Sequence, residues 1–177
     1  MKKISLYDEI FSEVDGEITD LTNKDVDNTE LDTPSLKFES DIPKLERMCY
    51  IMEQVLLKKE SDAVVYAGFQ KISRAEAIWE RYLEIADNVE QIYLFGEKDK
   101  ELESHPNIEF IYLPEKHPLI REWFLVIDRP LAKSMMSAYD LDGFGVYENE
   151  KDRNFKGFKS TNPNVVKQAT DLLEEII

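Results

Sequence analysis

The chain has 177 residues, with 37 acidic side chains against 22 basic ones and a net charge of −15. That length suits one domain with a real core, and the charge sets the protein against phosphate backbones and anionic bilayer surfaces, so neither nucleic acid nor membrane is an expected partner. A single cysteine, Cys49, excludes an intrachain disulfide and a cysteine-ligated zinc site.

The opening "MKKISLYDEIF" has the lysines of a signal peptide, but Asp8 and Glu9 stand where its apolar stretch belongs. No apolar run approaches the roughly 18 residues of a membrane span. The expected location is the reduced cytoplasm. Residues 1–43 hold 12 acidic and 4 basic side chains, about half of the whole excess. The stretch "DGEITDLTNKDVDNTELDTPS" is poor in large apolar residues and rich in turn formers, so a loop is expected there, within an acidic arm with a short helix over 1–40. A calcium loop beginning at Asp25 fails, because Glu30 replaces the glycine at the sixth position and Leu36 the glutamate at the twelfth.

A single α/β domain is expected over 41–177. In "DIPKLERMCYIMEQVLLKK", Leu45, Met48, Cys49, Met52, Val55 and Leu56 follow helical spacing, with Asp41 and Pro43 at the start. Cys49 lies on that inner face as a small core residue. "DAVVYAGF" reads as a buried strand. "SRAEAIWERYLEIADNV" reads as a helix with a Ser73–Glu76 capping box and a stripe of Ile78, Tyr82, Ile85 and Val89. "QIYLFG" is a second strand, completing a βαβ unit of parallel strands. "NIEFIYL" and "WFLVID" predict two further strands. "PLAKSMMSAYD" predicts a helix with Leu131, Met135 and Ala138 on one face. "GFGVYENEKDRNFKGFKS" predicts one or two strands around a charged turn. "NPNVVKQATDLLEEII" closes as a helix capped by Asn162, with Pro163 in its first turn and Val165, Ala169, Leu172 and Ile176 inward. The fold class is α/β: a mixed, partly parallel sheet of four to five strands with helices packed on it.

Chemistry-bearing motifs are scarce. No phosphate-binding glycine loop and no G-x-S-x-G nucleophile elbow is present. His105 and His117 each precede a proline in an expected loop, without helical metal-ligand spacing, and read as exposed loop histidines. No enzyme is indicated and no cofactor is identified. What remains is a convergence at strand ends. Ligands of parallel α/β sheets bind beyond the carboxyl ends of the strands, and two strands here end in Gly68–Phe69–Gln70 and Phe95–Gly96–Glu97. If the third strand is parallel and the fourth antiparallel, Glu122 and Trp123 reach the same edge, giving aromatic walls with a few polar groups. The other reading makes Phe69, Phe95 and Trp123 caps on the core, Gln70 and Glu97 solvated, and Arg121–Glu122 a surface ion pair.

The segments "YAGFQKISR", "RYLEIADNVEQIYLFGE", "HPLIREWFLVID" and "FKGFKSTNPNVVKQATDLLEEI", in this order from Tyr66 to Ile176, resemble the DICT sensory domain family, named for its occurrence with diguanylate cyclases and two-component systems. The most specific pieces are Pro118, Leu119, Glu122 and Trp123 of the P-L-x-x-E-W core and the G-F-Q element. "DLDGFGVYENEKDRN" and the closing "GFKSTN" depart from the family pattern. The resemblance implies a sensory module that binds a small molecule and signals to an output unit, in that family commonly a cyclic-di-nucleotide enzyme, a histidine kinase or a regulator. Without an output domain of its own, such a module would act through a signalling protein partner or a homo-oligomer, or else be a stand-alone ligand binder. The candidate ligand-binding set is Gly68, Phe69, Gln70, Phe95, Gly96, Glu97, Glu122 and Trp123, joined by Arg74 of "YAGFQKISR". The alternatives are a protein–protein adaptor with no ligand, docking its acidic arm on a basic partner, and an enzyme of unknown substrate.

Overall fold

The two apolar runs of the βαβ unit lie side by side, in parallel, near one end of a mixed sheet. The computed structural model describes residues 1–22 and 25–177. Among them the strands are β1 (Ile18–Asp20), β2 (Ser35–Asp41), β3 (Val64–Lys71), β4 (Gln91–Glu97), β5 (Ile108–Tyr112), β6 (Glu122–Asp128), β7 (Lys133–Asp140) and β8 (Asn154–Ser160). They form one sheet in the order β1-β2-β8-β7-β6-β3-β4-β5. The fold is α/β with a mixed sheet, but eight strands replace the expected four to five. β1–β2, β3–β4 and β4–β5 are parallel, and the pairs between β2 and β3 are antiparallel.

Three of the added strands come from segments read otherwise. β1 and the short helix α2 (Asn28–Leu31), capped by a reciprocal Asp27–Glu30 box, fall in the stretch expected to be a loop; its residues 23 and 24 lie outside the described residues. β2 pairs along its whole length with β8. β7 stands where a helix was expected. Only residues 129–132 separate it from β6, and Asp128 stands opposite Lys133, so the chain turns back as a hairpin. Leu131, placed on the helix's inner face by the sequence reading, is fully exposed in that turn.

Helices cover both faces. On one side lie α3 (Ile42–Leu57), the 3-10 segment Ile72–Ile78 and α4 (Trp79–Asn88), over a core that includes Leu45, Met48, Leu56, Ala67, Leu94 and Leu125. Asp41 caps α3 by accepting from the Lys44 amide, with Pro43 in the first turn, as its sequence predicts; Val55, expected inward, is exposed. The Ser73–Glu76 capping box does not form. The Asp99 carboxylate takes both the Ser73 amide (2.9 Å) and hydroxyl (2.5 Å), and the α-helix begins only at Trp79. On the other side α1 (Leu6–Ile10) and α5 (Pro163–Glu174) cover Phe95, Phe124, Val126 and Phe158. Asn162 caps α5 through the Asn164 amide; Val166, Ala169 and Leu173 are its deepest residues, with Val165 and Leu172 half-buried beside them.

β5 reaches its parallel position without a crossover helix. Residues 98–107 run outside α4, held by the Trp79 indole N–H on the Glu103 carbonyl (3.0 Å), His105 on Asp87 (2.8 Å) and the Asn107 amide on the Ala86 carbonyl (2.9 Å). Ten extended residues reach up to about 35 Å, ample for a strand of five. His117, expected to be exposed, is buried: its Nδ1 accepts from the Leu119 amide (3.2 Å) and its Nε2 bonds the Lys2 carbonyl (2.9 Å), so the N-terminal segment covers it.

Candidate functional site

β3 runs regularly to Gly68 and then breaks register before Lys71. Gln70 takes a φ of 69° there, a left-handed conformation that costs a residue with a side chain, and the chain folds over the α3 face as the segment Ile72–Ile78. That turn brings Arg74 to the same space as Phe69. Trp123, at the start of the antiparallel β6, comes from the other side, with ring centroids 6.3 Å apart. Over these two rings α3 contributes Pro43, Glu46, Arg47, Cys49 and Tyr50, and the segment leading into α4 contributes Arg74, Ala77, Ile78 and Arg81. Lys151 closes the rim of a hollow of about 440 Å³.

Its floor is apolar and its rim is basic. The Arg81 guanidinium binds Glu53 (2.8 Å) and lies over the Tyr50 ring, 5.2 Å from its centroid. Burial pushes the Glu53 carboxyl up, opposed by that cation. The Arg47 Nη1 donates to the Val26 carbonyl (2.8 Å). The Arg74 guanidinium lies between two rings, 5.5 Å from the centroid of Trp123 and 5.7 Å from that of Phe144, and its Nε has no acceptor among the described residues. Burial, and then the neighbouring Arg153 cation, lower its pKa from the ordinary arginine range. Burial pushes the Cys49 thiol well up, which leaves it a core residue at the edge of the hollow rather than a nucleophile.

The structure thus gathers Phe69, Arg74 and Trp123 of the sequence-derived set and disperses the rest. Phe95 lies on the opposite face, packed on Phe124 at 5.5 Å. Gly68 belongs to that same contact: a Cβ there would stand 2.2 Å from Phe124 Cε1. A Cβ on Gly96 would press on the backbone nitrogen of Ile72 at 3.2 Å, and Glu97 ends β4 opposite Lys71. Glu122, next to Trp123 in sequence, points to the other face by strand alternation. It is fully buried, accepts from Ser5 Oγ (2.5 Å), Ser137 Oγ (2.9 Å) and the Tyr7 amide (3.1 Å), and is pushed up to about 7 by burial against those donors. The surface ion pair with Arg121 is not formed: Arg121 donates to the Asp140 carbonyl and lies over Tyr139.

Gln70 is also buried, in a polar knot beside the hollow. Its amide donates to Asp140 Oδ2 (3.0 Å) and the Ile120 carbonyl (3.2 Å), while Arg153 Nη1 donates to Gln70 Oε1 (3.2 Å) and pairs with Asp140. Asp140 also accepts from the Gly143 amide (2.8 Å) and so ties down the segment 141–153. Phe144 of that segment packs on Arg153, 4.0 Å from the centroid, and also meets Lys71 and Arg74. The polar groups expected to line the hollow therefore brace its surroundings.

The sequence reading missed Arg47, Tyr50 and Arg81. A signal for them exists: Pro43, Glu46, Arg47 and Tyr50 recur at one-turn spacing beside the buried stripe of α3, and Arg74, Ala77, Ile78 and Arg81 repeat that spacing. Two such stripes facing each other enclose the space.

The α/β sheet is covered on both faces, and the aromatic and basic hollow lies at the ends of its strands. No helix among the described residues is long and apolar enough to cross a membrane. Residues 24–141 match the profile of the DICT family, the sensory domain in diguanylate cyclases and two-component systems, and the chain belongs to that family. The match begins well before Tyr66 and stops ahead of β8 and α5. No curated protein matches the chain.

Proposed function

We propose that this protein is a small-molecule sensor whose ligand occupies the hollow between α3, the 72–81 segment and the strand ends at Phe69 and Trp123. The observation that carries the reading is the meeting of those two rings with Arg74 in a space of about 440 Å³, within the usual range of small-molecule sites. Family membership as a sensory domain supports a binding role over a catalytic one. The mechanism is a population shift. Arg74 touches Trp123 in the hollow and Phe144 in the segment 141–153, so a ligand that engages Arg74 alters the hold on Phe144 and with it the packing of that segment, which a signalling partner in the cytoplasm reads. The family's association with cyclic-di-nucleotide and phosphorelay systems suggests where that partner belongs.

A thermal-shift screen against nucleotides, metabolites and chromophores tests the reading. At least one class is expected to raise the melting temperature of the native protein and to lose that effect in Trp123→Ala by more than the variant's own loss of stability. No rise with any class, together with recovery of a stable basic partner from pull-down, would replace the sensor with an adaptor that docks through its acidic surface.

A further inference from the structure

We infer that the hollow is built for an anion: a small molecule with a flat apolar body and a carboxylate or phosphate head held by Arg74, with Arg47 as second contact. This rests on reading the hollow as the binding site, and it names the class of occupant. The charge distribution is the first ground. In a chain of net charge −15, the residues lining this space include Arg47, Arg74, Arg81 and Lys151 against Glu46 alone. Two of these cations are already answered, Arg81 by Glu53 at 2.8 Å and Lys151 by Glu46 at 3.8 Å. Arg47 bonds a neutral carbonyl. Arg74 has ring contacts and the longer-range attraction of Glu46, Glu150 and Asp140, and neither arginine has a carboxylate within ion-pair reach among the described residues.

The second ground is the environment of Arg74. Its guanidinium is half-buried, its Nε, like that of Arg81, has no acceptor among the described residues, and burial with the nearby Arg153 cation disfavours its charge more than Glu46, Glu150 and Asp140 favour it. A half-buried cation without a close counter-ion is costly, and an oxyanion in the hollow would relieve that cost through paired N–H donors. The walls supply the third ground. Phe69, Trp123, Ile78 and Tyr50 present apolar and aromatic surface to the same space, which suits a ring more than a bare inorganic ion.

The test uses probes of one shape and three charges: 1-naphthoate and 1-naphthyl phosphate, neutral 1-naphthamide, and cationic 1-naphthylmethylammonium, with inorganic phosphate alone as the head-group control. Binding is followed by amide and arginine Nε–H chemical shifts in the native protein, in Arg74→Gln and in Arg74→Lys, with each variant's melting curve showing that it is folded. The anionic probes are expected to move signals of the residues lining the hollow and to bind about tenfold or more tightly than the amide. Arg74→Gln should abolish that preference, and Arg74→Lys should restore part of it. Whichever of the carboxylate and phosphate binds more tightly identifies the head group. Equal binding of naphthamide and naphthoate, or a charge preference that survives in Arg74→Gln, would overturn the anion assignment while leaving the hollow as a site. Inorganic phosphate reproducing the aryl anions' shifts at equal affinity would overturn the flat-body half of it. Failure of every probe to perturb the lining residues would remove the assignment and the sensor reading together.

Discussion

Glu122 is a carboxyl group without solvent contact, and its titration follows from the balance around it. Ser5, Ser137 and the Tyr7 amide all donate to it, which favours the charged form, while burial and the nearby Asp8 oppose that form and prevail, lifting it from 4.5 to about 7. The unfolded chain releases this proton near 4.5 and the folded one near 7, so the folded state binds it more tightly. The contribution to stability is complete below about 4.5, is lost as pH rises to about 7, and is flat above that; the span is up to about 3 kcal/mol. Urea unfolding at pH 5 and pH 7.5 should show this decline in the native protein and a much smaller one in Glu122→Gln, with its amide in place of the ionisable group. An unchanged slope in the variant would assign the decline to other groups.

At the scale of elements, the polar knot joins the ends of β3 and β7 to the start of β8 through Gln70, Asp140 and Arg153. Breaking a buried pair by removing one partner leaves the other uncompensated. Arg153→Met should therefore cost about 3–5 kcal/mol in urea unfolding, and Asp140→Asn combined with Arg153→Met should cost clearly less than the sum of the two single changes. Additive losses would show that the two groups act independently. Much of the element pattern was legible in the sequence: the βαβ unit, the capped starts of α3 and α5 and the strand at Phe124–Ile127 all follow from local apolar periodicity and capping residues. β7 was not, because Leu131, Met135 and Ala138 fit helical spacing, whereas the short return from Asp128 dictates a strand through pairing that local periodicity does not record. β1 and β2 were hidden for the same reason, since β2 takes its partner from β8, far along the chain. The candidate hollow was legible in part. Gathering at the strand ends located Phe69 and Trp123, but alternation puts Glu122 and Phe95 on the other face, so nearness to an edge was mistaken for sharing a side. Arg47 and Arg81 were not legible, because their stripes run beside the buried faces of their helices rather than on them.

For the molecule as a whole, a net charge of −15 makes self-repulsion a standing cost. Raising sodium chloride from about 10 mM to about 150 mM shortens the screening distance from about 30 Å to about 8 Å, and the melting temperature should rise with it. A fall would mean that attractive surface pairs such as Lys100–Glu76 outweigh the repulsion. The strand order also bears on where this protein can be cut. β8 lies between β2 and β7, beyond the family-matched span, while α5 from the same end covers one face. A piece trimmed to residues 24–141 would lose an inner plank rather than an appendage: β2 and β7 would be left with bare edges and no common neighbour, and the aromatic floor under α1 and α5, both cut away, would lie open to water. The matched span is thus shorter than the sheet it belongs to.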